Sequence, residues 1–193
     1  MKNKIKLGIM ITLLISVAMI IVIGINAKPI NQKDLEDIKK VIMKADTQAE
    51  RNYIEAKTNH KKGTLIQNKN ALLEKDSTAM RDTFSDDMAQ KLKKVWVDDQ
   101  IENVENGPDL VDCGTTDINI KDVSISDNIA NVTATVTKYL IERVTENGKY
   151  YLDRMEGTAF NKYTLVNNGS KWKISEMEIS TNLDAKHTLT EEK

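Results

Sequence analysis

DVSISDNIANVTATVT, residues 122–137, decides the fold class. Val123 and Ile125 alternate with polar residues, and Ser126-Asp127-Asn128 supplies turn formers. Ala130, Val132, Ala134 and Val136 then alternate with Asn131, Thr133, Thr135 and Thr137. A period of two, with apolar residues on one side and polar residues on the other, predicts two strands of a sheet covered on one face.

The pattern continues in both directions. Upstream, Ile118 and Ile120 alternate in the opposite phase to Val123 and Ile125, which predicts a β-bulge near Lys121-Asp122. Downstream, Asn147-Gly148 between β-prone runs is a type I′ hairpin signal. Met155, Ala159, Tyr163 and Leu165 share one face of the next strand. Asn168-Gly169 marks another hairpin, and a last strand carries Trp172 and Ile174, then Met177 and Ile179 after a second change of phase. The expectation is four long antiparallel strands in a meander over 116–182, bent by the phase shifts. Residues 103–115 read as loop from their Gly and Pro, and 183–193 as a polar, frayed tail.

Before the strands the period is helical. Asn31 is placed to cap a helix, with Pro29 ahead of it and Asp34 three residues on. Leu35, Ile38, Ile42, Ala45, Ala49, Tyr53 and Ala56 then line one face. This predicts one helix from Asp34 to about His60, roughly 40 Å long at 1.5 Å per residue. The C-terminal half of that helix is expected to cover the sheet. Gly63 marks a linker at 61–68, and a second helical stretch is expected at about 70–83, with Leu73, Met80 and Phe84 on one side. Ser85 then caps a further helix whose apolar face is Met88, Leu92, Val95 and Trp96. The helical part thus spans 32–105 and the sheet part 116–182.

At the N-terminus, LGIMITLLISVAMIIVIGI (7–25) carries no charge and follows Lys2, Lys4 and Lys6. A run of this length matches a membrane-spanning helix better than the shorter apolar core of a signal peptide. Ala27 still offers a cleavage point, after which the chain would be secreted. The lysine asymmetry places the N-terminus inside and residues 28–193 outside, by the positive-inside rule.

The whole chain has 193 residues and a net charge of −1, so nothing marks a nucleic-acid-binding face. The single cysteine, Cys113, permits no internal disulfide, and its acidic neighbours do not favour a thiolate.

Asp122-Val123-Ser124-Ile125 leading to Asn128-Ile129-Ala130-Asn131-Val132, with the closing Asn168-Gly169-Ser170-Lys171-Trp172-Lys173-Ile174, resembles the NTF2-like (cystatin-like α+β) superfamily over about residues 32–182. The resemblance implies helices packed on a curved antiparallel sheet. Membrane-anchored domains of this kind serve as accessory modules of cell-wall enzymes and as VirB8-like assembly proteins of conjugation and secretion machines. No functional residue carries over from them.

A search for chemistry finds little. His60 and His187 have no sequence neighbours at metal-ligand spacing, the glycines form no phosphate loop, and no nucleophile–base motif is present. Cones of this superfamily also house proton-transfer enzymes that use a buried Asp and a Tyr. Asp153, Tyr139 and Tyr163 lie on predicted strands and are the residues that would face such a cone. Tyrosines on a half-buried sheet are more often core, however, and Asp153 lies near a hairpin end. No catalytic, cofactor-binding or metal residue is therefore assigned. The expected function is a membrane-anchored binding or scaffolding module of the bacterial cell envelope, with a protein partner and no cofactor. The alternative is a small-molecule-binding or isomerase-type cone.

Overall fold

The computed structural model describes residues 30–63, 74, 80–180 and 185–192. The fold is α+β: three helices pack on a curved antiparallel sheet. Helix α1 (Gln32–Asp46) begins where the capping reading put it, with the Asn31 side chain accepting from Lys33 N at 3.0 Å. Helix α2 is Gln48–Lys61 and helix α3 is Asp86–Asn103. Ser85 caps α3 by accepting from Met88 N at 3.3 Å.

The single long helix is corrected to two. Thr47, at φ −117° and ψ 9°, interrupts it. Asp and Thr are indifferent helix formers, because their side chains compete for nearby backbone groups. Here the Thr47 hydroxyl accepts from Arg51 Nε at 3.2 Å. The apolar seam survives the break: Ile38, Ile42, Ala45, Tyr53 and Ala56 are all buried. On α3 the inward residues are Met88, Leu92, Trp96 and Val97, whereas Val95 points outward at 37% exposure.

Strands β1 (Leu110–Ser126), β2 (Ile129–Glu146), β3 (Lys149–Asn167) and β4 (Trp172–Glu178) form the meander, in that spatial order. The bulge expected near Lys121 is present as a register shift between Ile120 and Asp122. The second phase change is a shift opposite Thr164 and Leu165. At the β2–β3 turn Asn147 and Gly148 sit at φ 51° and 77°, the left-handed pair that a type I′ turn needs.

Two boundaries are corrected. β1 starts at Leu110, inside the expected loop, because β2 is long enough to pair with it back to Glu142. The expected tail contains a fifth strand, β5 (Lys186–Glu191), antiparallel to β3. β3 thus shares one edge between two strands, β4 along Lys162–Asn167 and β5 along Tyr151–Glu156.

The core lies between α1, α3 and the near half of the sheet. Ala130, Val132, Ala134 and Val136 of β2 face it, as the alternation requires. Phe84 and Trp96 meet edge to face at 5.7 Å. Trp172 is buried and donates from Nε1 to Asp34 Oδ1 at 3.1 Å, tying the last strand of the meander to the first turn of α1.

The anchor expected at 7–25 and most of the helical stretch at 70–83 lie outside the described residues. Among the described residues no helix is long and apolar enough to cross a membrane.

Candidate functional site

The helix break at Thr47 aims a set of polar side chains at the sheet. Asp46 ends α1 at 5% exposure, and Asn161 of β3 is fully buried. Asn161 Nδ2 approaches Asp46 Oδ1 at 3.4 Å and donates to the Tyr163 hydroxyl at 2.9 Å. Asn161 Oδ1 accepts from Ser180 N at 3.1 Å. Lys138 of β2 reaches in from the other side, 3.3 Å from Glu50 Oε1 and 3.9 Å from Asp46 Oδ2.

The electrostatics separate the two carboxylates. Burial raises the pKa of Asp46, and neighbouring Glu50 adds to this, while Lys138 offsets only part. Burial also opposes the charge on Lys138, but Glu50 and then Asp46 outweigh it, so its pKa is raised. The two directions agree if Glu50, the closer and wetter partner, is the main counter-ion and Asp46 the weaker one. Burial, then Asp46, pushes the Tyr163 hydroxyl well above the usual phenol range.

A buried Asp near a Tyr is the constellation a proton-transfer cone uses, but here the groups are packed shut. The best-formed cavity, about 530 Å³, is a wide-open groove elsewhere, between Leu35 and Lys39 of α1 and Asp117–Val123 of β1.

The residues singled out in the sequence do not converge. Tyr163 joins the buried cluster. Tyr139 lies half-exposed with its ring against Gly114, donating to Asp112 Oδ2 at 2.9 Å beneath the Arg154 guanidinium. Asp153 lies far along β3, where its Oδ2 meets His187 Nδ1 at 2.9 Å. The carboxylate that accompanies Tyr163 is Asp46, which sequence reading missed; the Asp46-Thr47 pair in mid-helix was the available signal. His60 is exposed at the end of α2. Cys113 is a buried β1 residue rather than part of a loop, and burial, followed by Glu50, pushes its thiol up to about 11, away from nucleophilic chemistry. Among the described residues no three His, Cys, Asp or Glu side chains are placed to hold a metal ion.

A second polar region lies at the far end of the sheet. Tyr53 donates to Pro108 O at 3.1 Å, and Lys57 to Gly107 O at 3.1 Å, so α2 clamps the chain entering β1. Asp109 then bridges Lys61 at 2.6 Å and Arg143 at 3.2 Å.

Beyond this clamp, β2 and β3 continue as a ribbon joined by β5. Its cross-strand pairs Leu140–Met155, Glu142–Asp153 and Val144–Tyr151 put apolar and acidic side chains on one face. All six residues are half-buried, and Leu189 of β5, opposite Asp153, is 52% exposed. Burial raises the pKa of Glu142, with Asp153 and Asp109 adding to it.

No family model matches the sequence, and neither a curated protein nor a solved structure matches it.

Proposed function

We propose that this chain is a binding or scaffolding module of the bacterial cell envelope, held at the outer face of the membrane by residues 7–25 and built on an NTF2-like domain. The partner is another envelope protein, in a conjugation, secretion or cell-wall assembly. The observation that carries this reading is the contrast between the two ends of the sheet. Under α1 and α3 the concave side is filled by Ile38, Ile42, Phe84, Leu92 and Trp96. Toward the far end it offers Leu140, Val144, Tyr151 and Met155 only half-covered around an acidic pair. A closed interior with a mixed apolar and acidic outer surface suits protein contact better than turnover of a small molecule.

The alternative, a small-molecule-binding or isomerase-type cone, rests on the Asp46–Asn161–Tyr163 cluster. That cluster requires an opening which the packing around it does not provide.

The test is site-specific photo-crosslinking in intact cells. A photoreactive side chain at Tyr151 should give a discrete protein adduct. The same group at Asn131, exposed on the opposite face of the near half of the sheet, should give none. Identical patterns from both positions, or none from Tyr151, would remove the reading. Replacing residues 1–27 with a cleavable secretion signal asks separately whether tethering matters, since a tether raises effective concentration at a surface.

A further inference from the structure

β5 is held differently from the other strands. Every one of its residues is exposed, so it adds no side chain to the core. Its hold is the backbone ladder to Tyr151–Glu156 plus contacts at each end. At one end Glu192 takes both arms of Arg143, at 2.6 and 2.8 Å, and Glu191 pairs with Lys149 at 2.8 Å. At the other end His187 meets Asp153 at 2.9 Å. Solvent-facing ion pairs of this kind contribute little individually, and strands without buried side chains are among the first elements to open.

The edge beneath β5 is well formed. The β3–β5 register runs without a bulge, and β3 is supported behind by β2 along its whole length. An unbulged, supported edge accepts an extended segment readily. Its charges are polarised: Arg143 and Lys149 lie at the end that receives the C-terminal part of β5, and Asp153 lies toward the other end.

We infer that β5 is a displaceable occupant of a strand-accepting slot on β3, and that the slot takes an extended segment of a partner protein carrying a cationic residue followed, four and five positions on, by acids. The partner segment pairs antiparallel with β3, its acids on Arg143 and Lys149 and its cation on Asp153, and β5 leaves. This deepens the binding-module reading and rests on it for the existence of a partner. The experiment below uses no cellular partner, so its failure is distinct from a failure of the crosslinking.

The first measurement is amide hydrogen exchange on the full chain. The amides of β5 should exchange at least about a hundredfold faster than those of β2 at Ala130–Val136, because opening β5 exposes no core. Glu192→Lys should accelerate exchange in β5 about tenfold further, leaving β2 unchanged. If β5 exchanges as slowly as β2, it is a fixed strand and the inference fails.

The second measurement uses a labelled synthetic peptide of residues 186–193, KHTLTEEK, as the probe. The full chain bearing Glu192→Lys should bind it at least about tenfold more tightly than the unchanged chain, since its own occupant competes less well. A peptide with lysines in place of both acids that follow its Thr190 should bind at least about tenfold more weakly than the natural one. Equal binding of both peptides, or no difference between the two chains, would overturn the slot.

Discussion

Lys138→Met isolates the energetics of the buried cluster. The Asp46 side chain is 1% exposed and that of Lys138 12%, and the two stand 3.9 Å apart. At an effective dielectric of about 20, unit charges 4 Å apart attract by about 4 kcal/mol. Removing the cation leaves Asp46 charged in a site that has already raised its pKa, and breaking such a pair typically costs about 3–5 kcal/mol. Asp46 can limit the loss by taking up a proton, so about 2–4 kcal/mol at pH 7 is expected.

The sign of the pH dependence follows from that proton. A carboxyl whose folded pKa lies above its unfolded value binds more protons when folded. Its penalty is absent below the unfolded value of 3.8, grows as pH rises through the window, and is complete above the folded pKa. Lys138→Met should therefore recover stability as pH is lowered from 7 toward 5, at a limiting slope of about 1.4 kcal/mol per unit. Adding Asp46→Asn should return the protein to within about 1 kcal/mol of the parent and remove this component of the pH dependence, because a neutral group costs less to bury. Urea unfolding of residues 28–193 at pH 5, 6 and 7, followed by Trp fluorescence with a common slope, measures all three. A loss under about 1 kcal/mol at pH 7, or no rescue by Asp46→Asn, would refute the argument.

Three other outcomes are expected. Trp172→Ala should cost about 3–5 kcal/mol by urea titration, as large aromatic truncations in cores do; a loss under about 1 kcal/mol would mean that its contacts with the core do not bear on stability. Cys113, with its thiol pushed up to about 11 by burial, should resist a thiol reagent at pH 8 in the native state and react promptly in urea, and fast native labelling would contradict the packing around β1. Burial works to raise the pKa of Asp109, but Lys61 and Arg143 outweigh it and hold it below 3.8, so its contribution is present above that value and lost as pH falls through the lower folded pKa. Acid unfolding of Asp109→Asn should accordingly lose part of the parent's steepness below about pH 4, and identical acid limbs would count against the clamp.

Much of the near half of the molecule was legible because it is governed by apolar period. The alternation at Ala130–Val136, the phase slip at Lys121, the Asn147-Gly148 turn and the capping by Asn31 and Ser85 are local signals, and each stands in the structure as read. The break at Thr47 was hidden because the apolar steps continue across it in phase. Val95 and Val97 are interchangeable by type, and only the helix's docking angle decides that Val97 is the buried one. β5 left no trace in hydropathy, since it is held by backbone pairing and charge, and Lys186–Glu191 reads the same whether free or paired. The polar cluster was half visible. Tyr163 was marked as core or cone, but its acidic neighbour comes from another element, Asp46, which only tertiary packing brings near.

The interruptions in β1 bear on how many molecules can join. Register shifts fall between Leu110 and Asp112, Thr115 and Asp117, and Ile120 and Asp122, so no regular run on this outer strand is longer than Asp122–Ser126. Polymerisation by sheet extension needs each newcomer to present a fresh straight border for the next. A ladder laid against β1 loses step every few residues, and with it the alternating hydrogen bonds that would secure a growing fibre. Association through the opposite border therefore ends at a fixed stoichiometry, so a chain with an exposed, strand-rich ribbon can be concentrated on a surface without seeding aggregates.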